Sequence, residues 1–263
     1  MGRVIAVTSG KGGVGKTTTV CNISTGLALE GYNVAVIDAD IGLRNLDLVM
    51  GLENRIVYDI VDVIEGRATI KQALIKDKKL KSKLQLLPAS QTKDKTAVSP
   101  KDMKKLTEEL AKEFDFVLID SPAGIEQGFR NAVVGADEII IITNPELSAI
   151  RDADRIIGLL DSYEKLDLKL IINRIRPEMV RKGEMINVEE IKDTLEIDLL
   201  GLIPDDEAVI ISTNRGEAVI KDEETKAAKA YKNIVRRLLG DEVEFLNIER
   251  TKFMDRVLNI FRV

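Results

Sequence analysis

The sequence predicts an α/β protein with a doubly wound, mostly parallel sheet flanked by helices, and three features carry that reading. Its strands are short, continuous apolar runs rich in β-branched residues, RVIAVT at 3–8, VAVI at 34–37, FVLI at 116–119 and IIIIT at 139–143, the pattern of strands covered on both faces. Helical periodicities separate them, as crossovers between parallel strands require. The first strand runs directly into a glycine-rich loop, SGKGGVGKTTT, that opens a long helix.

Composition narrows the classes. With 263 residues and 44% hydrophobic content, the chain can bury the core of one large domain. A formal net charge of −5 argues against a protein that coats nucleic acid non-specifically. The single cysteine, Cys21, excludes an intrachain disulfide and a four-cysteine or zinc cluster within one subunit, and it disfavours an iron–sulfur cluster shared by two copies. Its place in the apolar periodicity of the first helix marks it as core. Histidine is absent, so any general base or water-positioning group must be a carboxylate, a lysine or an amide. The N-terminus enters the first strand at once, and no apolar run approaches the ~20 residues of a membrane span. The expectation is a cytoplasmic protein, unless its surface binds a membrane.

In chain order, the loop comes first. Residues 10–17, GKGGVGKT, fit the phosphate-loop template G-x-x-x-x-G-K-[ST]. Gly10, Gly12, Gly13 and Gly15 leave the backbone free to turn its N–H groups inward, and the following helix aims its positive dipole end at the same point. Lys16 reaches the terminal phosphates of a polyphosphate, and the Thr17 hydroxyl ligates Mg²⁺. The full binding stretch is Gly10, Lys11, Gly12, Gly13, Val14, Gly15, Lys16, Thr17 and Thr18. Its place between a hydrophobic strand and an amphipathic helix separates it from a chance glycine-rich turn. Lys11, taken alone, reads as an ordinary surface lysine.

The first helix covers residues 17–30, with Val20, Ile23, Leu27 and Ala28 inward and Gly31 as its stop. The strand at 34–37 delivers DADIGLRNLD, 38–47, beyond its carboxyl end, where ligands of doubly wound sheets lie. Asp38 and Asp40, two apart, point the same way from an extended exit. A helix N-cap is the competing reading for either, but 116–119 repeats the arrangement by ending in Asp120. Between them, 58–64 and 70–74 read as short peripheral helices. The lysine-rich KDKKLKSK reads as a solvated edge, 84–87 as a strand stopped by Pro88, and Pro100 as the start of a helix to about 113. LPASQT shows no chemical role.

FVLI followed by DSPAGIE is the second diagnostic site. A hydrophobic strand ending in aspartate places Asp120 to hold the Mg²⁺ shell through water, and Pro122 and Gly124 permit a loop that follows the γ-phosphate. After IIIIT, a helix carries Ile150, Ala153, Ile157 and Leu160 inward, and Ser148, Arg151, Asp152 and Asp154 toward solvent. Strand 168–173 ends in Asn173, and strand 199–203 leads to PDDE at Pro204. Asn173 can read a purine edge or cap a turn, and spacing does not choose between them. The last core helix spans 222–239 and Gly240 closes it. Beyond the acidic DEVE, residues 251–263 place Phe253, Met254, Val257, Leu258, Ile260 and Phe261 on one face, against Lys252, Asp255, Arg256, Asn259 and Arg262. An apolar face rimmed by basic residues suits an interfacial membrane anchor, with docking onto the core or a partner as the competing reading.

GKGGVGKT, with its early lysine, resembles the deviant Walker A loop of the ParA–MinD family of P-loop ATPases. RNLDLVMGLE, VYDIVDVIEG, LPASQT, DSPAGIE and the amphipathic tail are similar to the MinD branch over nearly the whole chain. The resemblance implies a homodimer with ATP between two copies, each Lys11 reaching the partner's nucleotide. It implies a catalytic set of Lys11, Lys16 and Asp40, in which Asp40 positions the attacking water and Asp38 acts near the metal beside Thr17 and Asp120. Asn173, Pro204, Asp205 and Asp206 match the adenine pocket, and the absence of an N-K-x-D guanine signature agrees with ATP. The helix after IIIIT lies beside the dimer interface. The implied partners are the division inhibitor MinC, MinE in some systems, and an anionic membrane surface bound through the tail, with no specific nucleic acid. The implied location is cytoplasmic, peripheral on the cytoplasmic face of the inner membrane. The organisation expected is an ATPase domain at 1–240, an acidic linker at 241–250 and a membrane-targeting helix at 251–263. A ParA-type DNA-segregation ATPase is the alternative, and it requires a basic dimer surface and no membrane helix.

Overall fold

The computed structural model describes residues 1–163 and 167–246. Strand β1 (Arg3–Thr8) is followed by α1 (Lys16–Leu29), β2 (Val34–Asp38), α2 (Leu46–Met50), α3 (Ile60–Ile64), α4 (Ile70–Ala73), β3 (Ile75–Lys76) and β4 (Leu84–Leu87). Then come α5 (Pro100–Leu110), β5 (Phe116–Asp120), α6 (Gln127–Val134), β6 (Glu138–Thr143) and α7 (Leu147–Leu160). The chain continues through β7 (Asp167–Ile175), α8 (Pro177–Arg181), α9 (Val188–Leu195), β8 (Asp198–Pro204), α10 (Glu207–Asn214) and α11 (Lys226–Leu238). The eight strands form one sheet in the order β3-β4-β2-β5-β1-β6-β7-β8, parallel throughout except for β3. This is the expected doubly wound sheet. β1 lies between β5 and β6, so the winding reverses beside it and leaves a crevice at its carboxyl end, where the glycine-rich loop begins.

Both faces of the central strands are buried, which is why their sequences do not alternate. Ile5, Val7, Val36, Leu118 and Ile140 pack toward α1 and α11, with Ile23, Leu27, Tyr231 and Ile234. Ala6, Ile37, Ile119 and Ile141 pack toward α5, α6 and α7, with Leu106, Phe129, Ile150 and Ile156. Cys21 is buried in the first of these layers, and burial pushes its thiol up to about 12. The peripheral helices begin where the side chains provide caps. Asp59, Thr69 and Ser99 each close a capping box, and Pro100 occupies the first turn of α5.

Several boundaries differ from the sequence reading. α11 begins at Lys226, capped by Thr225, because Val219–Lys221 forms a separate 3-10 turn. In α7 the fully buried residue is Ile156, while Ile157 is half-buried: the inward stripe runs 149, 153, 156 and 160. The lysine run starts at Lys76, the last residue of β3, and continues through a 3-10 turn at the sheet edge, where Lys78, Lys79 and Lys81 are exposed. The chain after Gly240 is tethered to the domain before the described residues end. Arg237 donates to the carbonyls of Val243, Glu244 and Leu200, and its guanidinium lies 4.0 Å from the Phe245 ring centroid. The tail helix expected at 251–263 lies outside the described residues. Among the described residues no helix is long and apolar enough to cross a membrane.

Candidate functional site

The glycine-rich loop leaves β1 and feeds α1 through Gly15, which is the N-cap in a left-handed conformation and offers no side-chain cap. The first-turn N–H groups of α1 are therefore left for an anion. Gly15 has φ 106°, and a Cβ there would lie 2.4 Å from Asn173 Nδ2. Gly10 is packed as tightly, since a Cβ would meet the Asp152 carbonyl of α7 at 2.3 Å. Asp152 is consequently half-buried against the loop rather than turned to solvent, whereas Ser148, Arg151 and Asp154 are exposed as expected. Gly15→Ala is expected to add about 1–3 kcal/mol of backbone strain and to displace Asn173. A lowered melting temperature and a nucleotide titration weakened at least about tenfold check it.

Lys16 is 8% exposed and donates to Ser9 Oγ at 2.9 Å, while Ser9 Oγ donates to the Lys11 carbonyl. Burial lowers the pKa of Lys16, against the pull of Asp120 and Asp40. Ser9 was not singled out by the sequence, since nothing local marks a serine at a strand end as the rest point of a lysine.

The acids gather opposite. Asp38 and Asp120 end neighbouring strands in register, and both are buried. Burial raises both carboxyls; Asp120 raises Asp38 further, while the Thr17 hydroxyl and Lys16 work against the rise at Asp120. Asp38 spends both oxygens on the backbone, Oδ1 accepting from Asp40 N (3.0 Å) and Oδ2 from Leu46 N (3.3 Å). It fastens both ends of the loop between β2 and α2 without being the N-cap of α2, a position held by Asn45, which makes no side-chain cap. Asp40 is half-buried, raised by burial and lowered by Lys95 and Lys16. One oxygen of Asp40 and one of Asp120 are buried without a hydrogen-bond partner.

The unpartnered Asp120 oxygen, the Thr17 hydroxyl beside it and the crowding of carboxylates around one lysine fit a hydrated Mg²⁺. Among the described residues no three acidic, histidine or cysteine side chains form a metal cage. An ion held mainly by phosphate oxygens, one hydroxyl and water needs none.

Beside the loop lies a cleft of about 610 Å³, lined by Gly15, Thr18, Asn173, Pro204, Asp205 and Asp206 among others, a size that accommodates a nucleoside. The four residues assigned to an adenine pocket are thus brought together. Their polar groups are partly committed: Asn173 donates to the Val14 carbonyl (2.7 Å) and accepts from Arg174 N (2.9 Å). Asp206 accepts from Ala208 N and Ala227 N, capping α10 and steadying α11. Asp205 pairs with Arg176 at 2.6 Å. Glu207 completes the PDDE stretch in the lining, and Arg174, Arg176, Glu178, Val209 and Ile210, the rest of it, were missed. INRIRPE, with two arginines flanking a strand end, was the available signal. Lys11 stands apart from this cleft, its Nζ 2.9 Å from Glu146 Oε2 and 3.1 Å from Ser148 Oγ at the start of α7.

Residues 5–219 match the model of the CobQ/CobB/MinD/ParA nucleotide binding domain. The septum site-determining protein MinD of Bacillus subtilis (strain 168) is 52% identical over 266 residues, spanning 100% of this chain and 99% of the relative. Among solved structures, a MinC:MinD cell division protein complex from Aquifex aeolicus superposes with TM-score 0.84 at 49% identity, covering 92% of this chain and 97% of that one. The septum site-determining protein MinD complexed with Mg-ADP from Pyrococcus horikoshii OT3 gives TM-score 0.81 at 30% identity, covering 90% and 96%.

Proposed function

This chain belongs to the CobQ/CobB/MinD/ParA nucleotide-binding family, and from that premise we propose that it is a MinD-type, Mg²⁺-dependent ATPase whose ATP-bound homodimer recruits MinC to the membrane and so controls division-site placement. The observation that carries this reading is the juxtaposition of Lys16, Thr17 and Asp120 at the uncapped start of α1, with Asp40 alongside and two buried acid oxygens unpartnered. The similarity to a MinD bound to Mg-ADP and to a MinD in complex with MinC supports the ligand and the partner.

Lys16 leaves Ser9 Oγ to neutralise the terminal phosphates, and Asp40 orients the attacking water. Thr17 and Asp120, with Asp38 beside them, would hold the Mg²⁺, which would supply positive charge to the phosphoryl oxygens. Lys11 exchanges Glu146 and Ser148 for the partner's nucleotide when two copies meet. Its side chain is 40% exposed, so the exchange gives up only a partly screened ion pair. One short amphipathic tail binds lipid weakly. Two tails joined by ATP bind with an avidity raised by orders of magnitude, and hydrolysis followed by subunit separation releases them. MinE is a candidate stimulator on the strength of the family resemblance.

The test is sedimentation with anionic phospholipid vesicles, using the full chain and a chain ending at Gly240, each with ATP or ADP. The full chain with ATP is expected to pellet at least about tenfold more than the other three samples. Equal pelleting with ADP defeats the nucleotide switch. Binding of ATP-loaded protein to random duplex DNA without vesicle binding favours the ParA-type alternative.

A further inference from the structure

The loop between β2 and α2 carries Asp40, and its shape depends on a residue with no part in the function above. The Asp40 carbonyl accepts from Leu43 N (3.2 Å) and from Arg44 N (3.1 Å), and Gly42 N donates to the Ser90 carbonyl at 2.8 Å. To close this turn Arg44 adopts φ 41°, a left-handed conformation that an arginine takes only at a cost. Its side chain opposes that cost from two directions. Arg44 Nε lies 3.0 Å from Asp47 Oδ2 on α2, and the Asp47 side chain is only 1% exposed. With the Gln91 amide oriented to satisfy both groups, its carbonyl accepts from Arg44 Nε (3.3 Å) and Nη2 (3.1 Å). No conventional hydrogen bond reaches either Asp47 oxygen, so the arginine charge is what compensates this buried carboxylate among the described residues.

We propose that Arg44, clamped between buried Asp47 and the Gln91 side chain, is the positioning residue that aims Asp40 at the attacking water. The guanidinium fork closes on the Gln91 carbonyl through Nε and Nη2, while its charge lies against Asp47 as an ion pair, and the two contacts together fix where the Arg44 backbone lies. The Arg44 N–H in turn holds the Asp40 carbonyl, so the clamp is relayed to the acid over four residues. LPASQT thereby acquires a role. Ser90 and Gln91 anchor the Asp40 loop from the end of β4, in the strand layer next to it. The proposal rests on the assignment of Asp40 to water positioning.

Its test is a double-mutant cycle on the full chain, reading single-turnover ATP cleavage, kcat and KM, nucleotide affinity and melting temperature for Arg44→Lys and Gln91→Ala, each in the native and Asp40→Ala backgrounds. Lysine keeps a positive charge opposite Asp47 but loses the fork to Gln91. Gln91 is exposed, so its truncation leaves the fold intact. In the native background the expected fall in kcat is about tenfold for Arg44→Lys and about threefold for Gln91→Ala, since small misplacements of an orienting group are costly. KM and nucleotide affinity are expected to stay unchanged, while the melting temperature of Arg44→Lys is expected to fall by a few degrees, equally in both backgrounds, as the left-handed backbone loses part of its support. In the Asp40→Ala background the same changes should alter cleavage by less than about twofold. Equal losses of cleavage in both backgrounds, a KM that rises in step with the loss, or no loss from either variant overturns the proposal. Normal turnover by Asp40→Ala alone overturns the parent assignment and this one with it, whereas a crippled Asp40→Ala beside unaffected Arg44→Lys and Gln91→Ala overturns this one only.

Discussion

Lys16→Ala is expected to weaken nucleotide binding by roughly ten- to a hundredfold and to remove about a further 10²–10³ in turnover by whatever complex still forms. The first loss follows from a charge-assisted contact to phosphate, which contributes about 1.5–3 kcal/mol. The second follows because the same ammonium meets the charge that grows on the phosphoryl oxygens. Asp40 and Asp120 enlarge both effects. Lys16 is the first-turn cation that interacts with each of them. Without it, an incoming polyphosphate meets a crowd of carboxylates with only the α1 N-terminus and Mg²⁺ to oppose repulsion. The measurement is a titration with a fluorescent ATP analogue on protein whose circular dichroism is native. Binding within twofold of the unaltered chain would remove Lys16 from its role.

How far the sequence could be read depended on the range of the interactions involved. The phosphate loop was legible because its determinants are contiguous: the glycines, the lysine and the threonine lie within 10–17, between a buried strand and a helix. The central strands were legible because burial on both faces leaves continuous apolar runs. Pairings across the sheet were not. Asn173 holds Val14 from 159 residues away, and no periodicity marks an asparagine at a strand end as a brace for the loop rather than a reader of a base. Asp38 and Asp206 each looked free for a ligand, yet the fold uses both oxygens of each to cap backbone amides. The short helices α8 and α10, which bring Arg176, Val209 and Ile210 to the cleft, span only five and eight residues and carry too few turns for a distinctive apolar stripe.

Asp40→Ala is expected to lower turnover by about 10²–10⁴, the usual contribution of a positioned acid or base, while leaving ATP bound and the dimer accumulated. Histidine is absent from the chain, so the group that holds the attacking water must be a carboxylate, a lysine or an amide. In the proposed site Lys16 is committed to phosphate, and each Asp38 oxygen already accepts from a backbone N–H. Asp120 is buried against Thr17 on the side where the metal shell belongs. Asp40 retains an unpartnered oxygen in a half-buried loop, between Lys16 and Lys95, whose charges favour the carboxylate against burial. It can accept a hydrogen bond from water without first releasing one from the protein. Asp40→Asn separates the two roles open to such a group, because an amide can orient water but cannot take its proton. Residual single-turnover cleavage within about tenfold of the unaltered chain assigns Asp40 to orientation, and a loss equal to that of alanine assigns it to proton transfer. Phosphate release measured beside size-exclusion profiles in ATP decides the larger question. Unimpaired turnover by Asp40→Ala would leave this chain without the residue on which its hydrolytic step is built, whereas a stable ATP-bound dimer that barely turns over would tie the lifetime of the dimer to that one carboxylate.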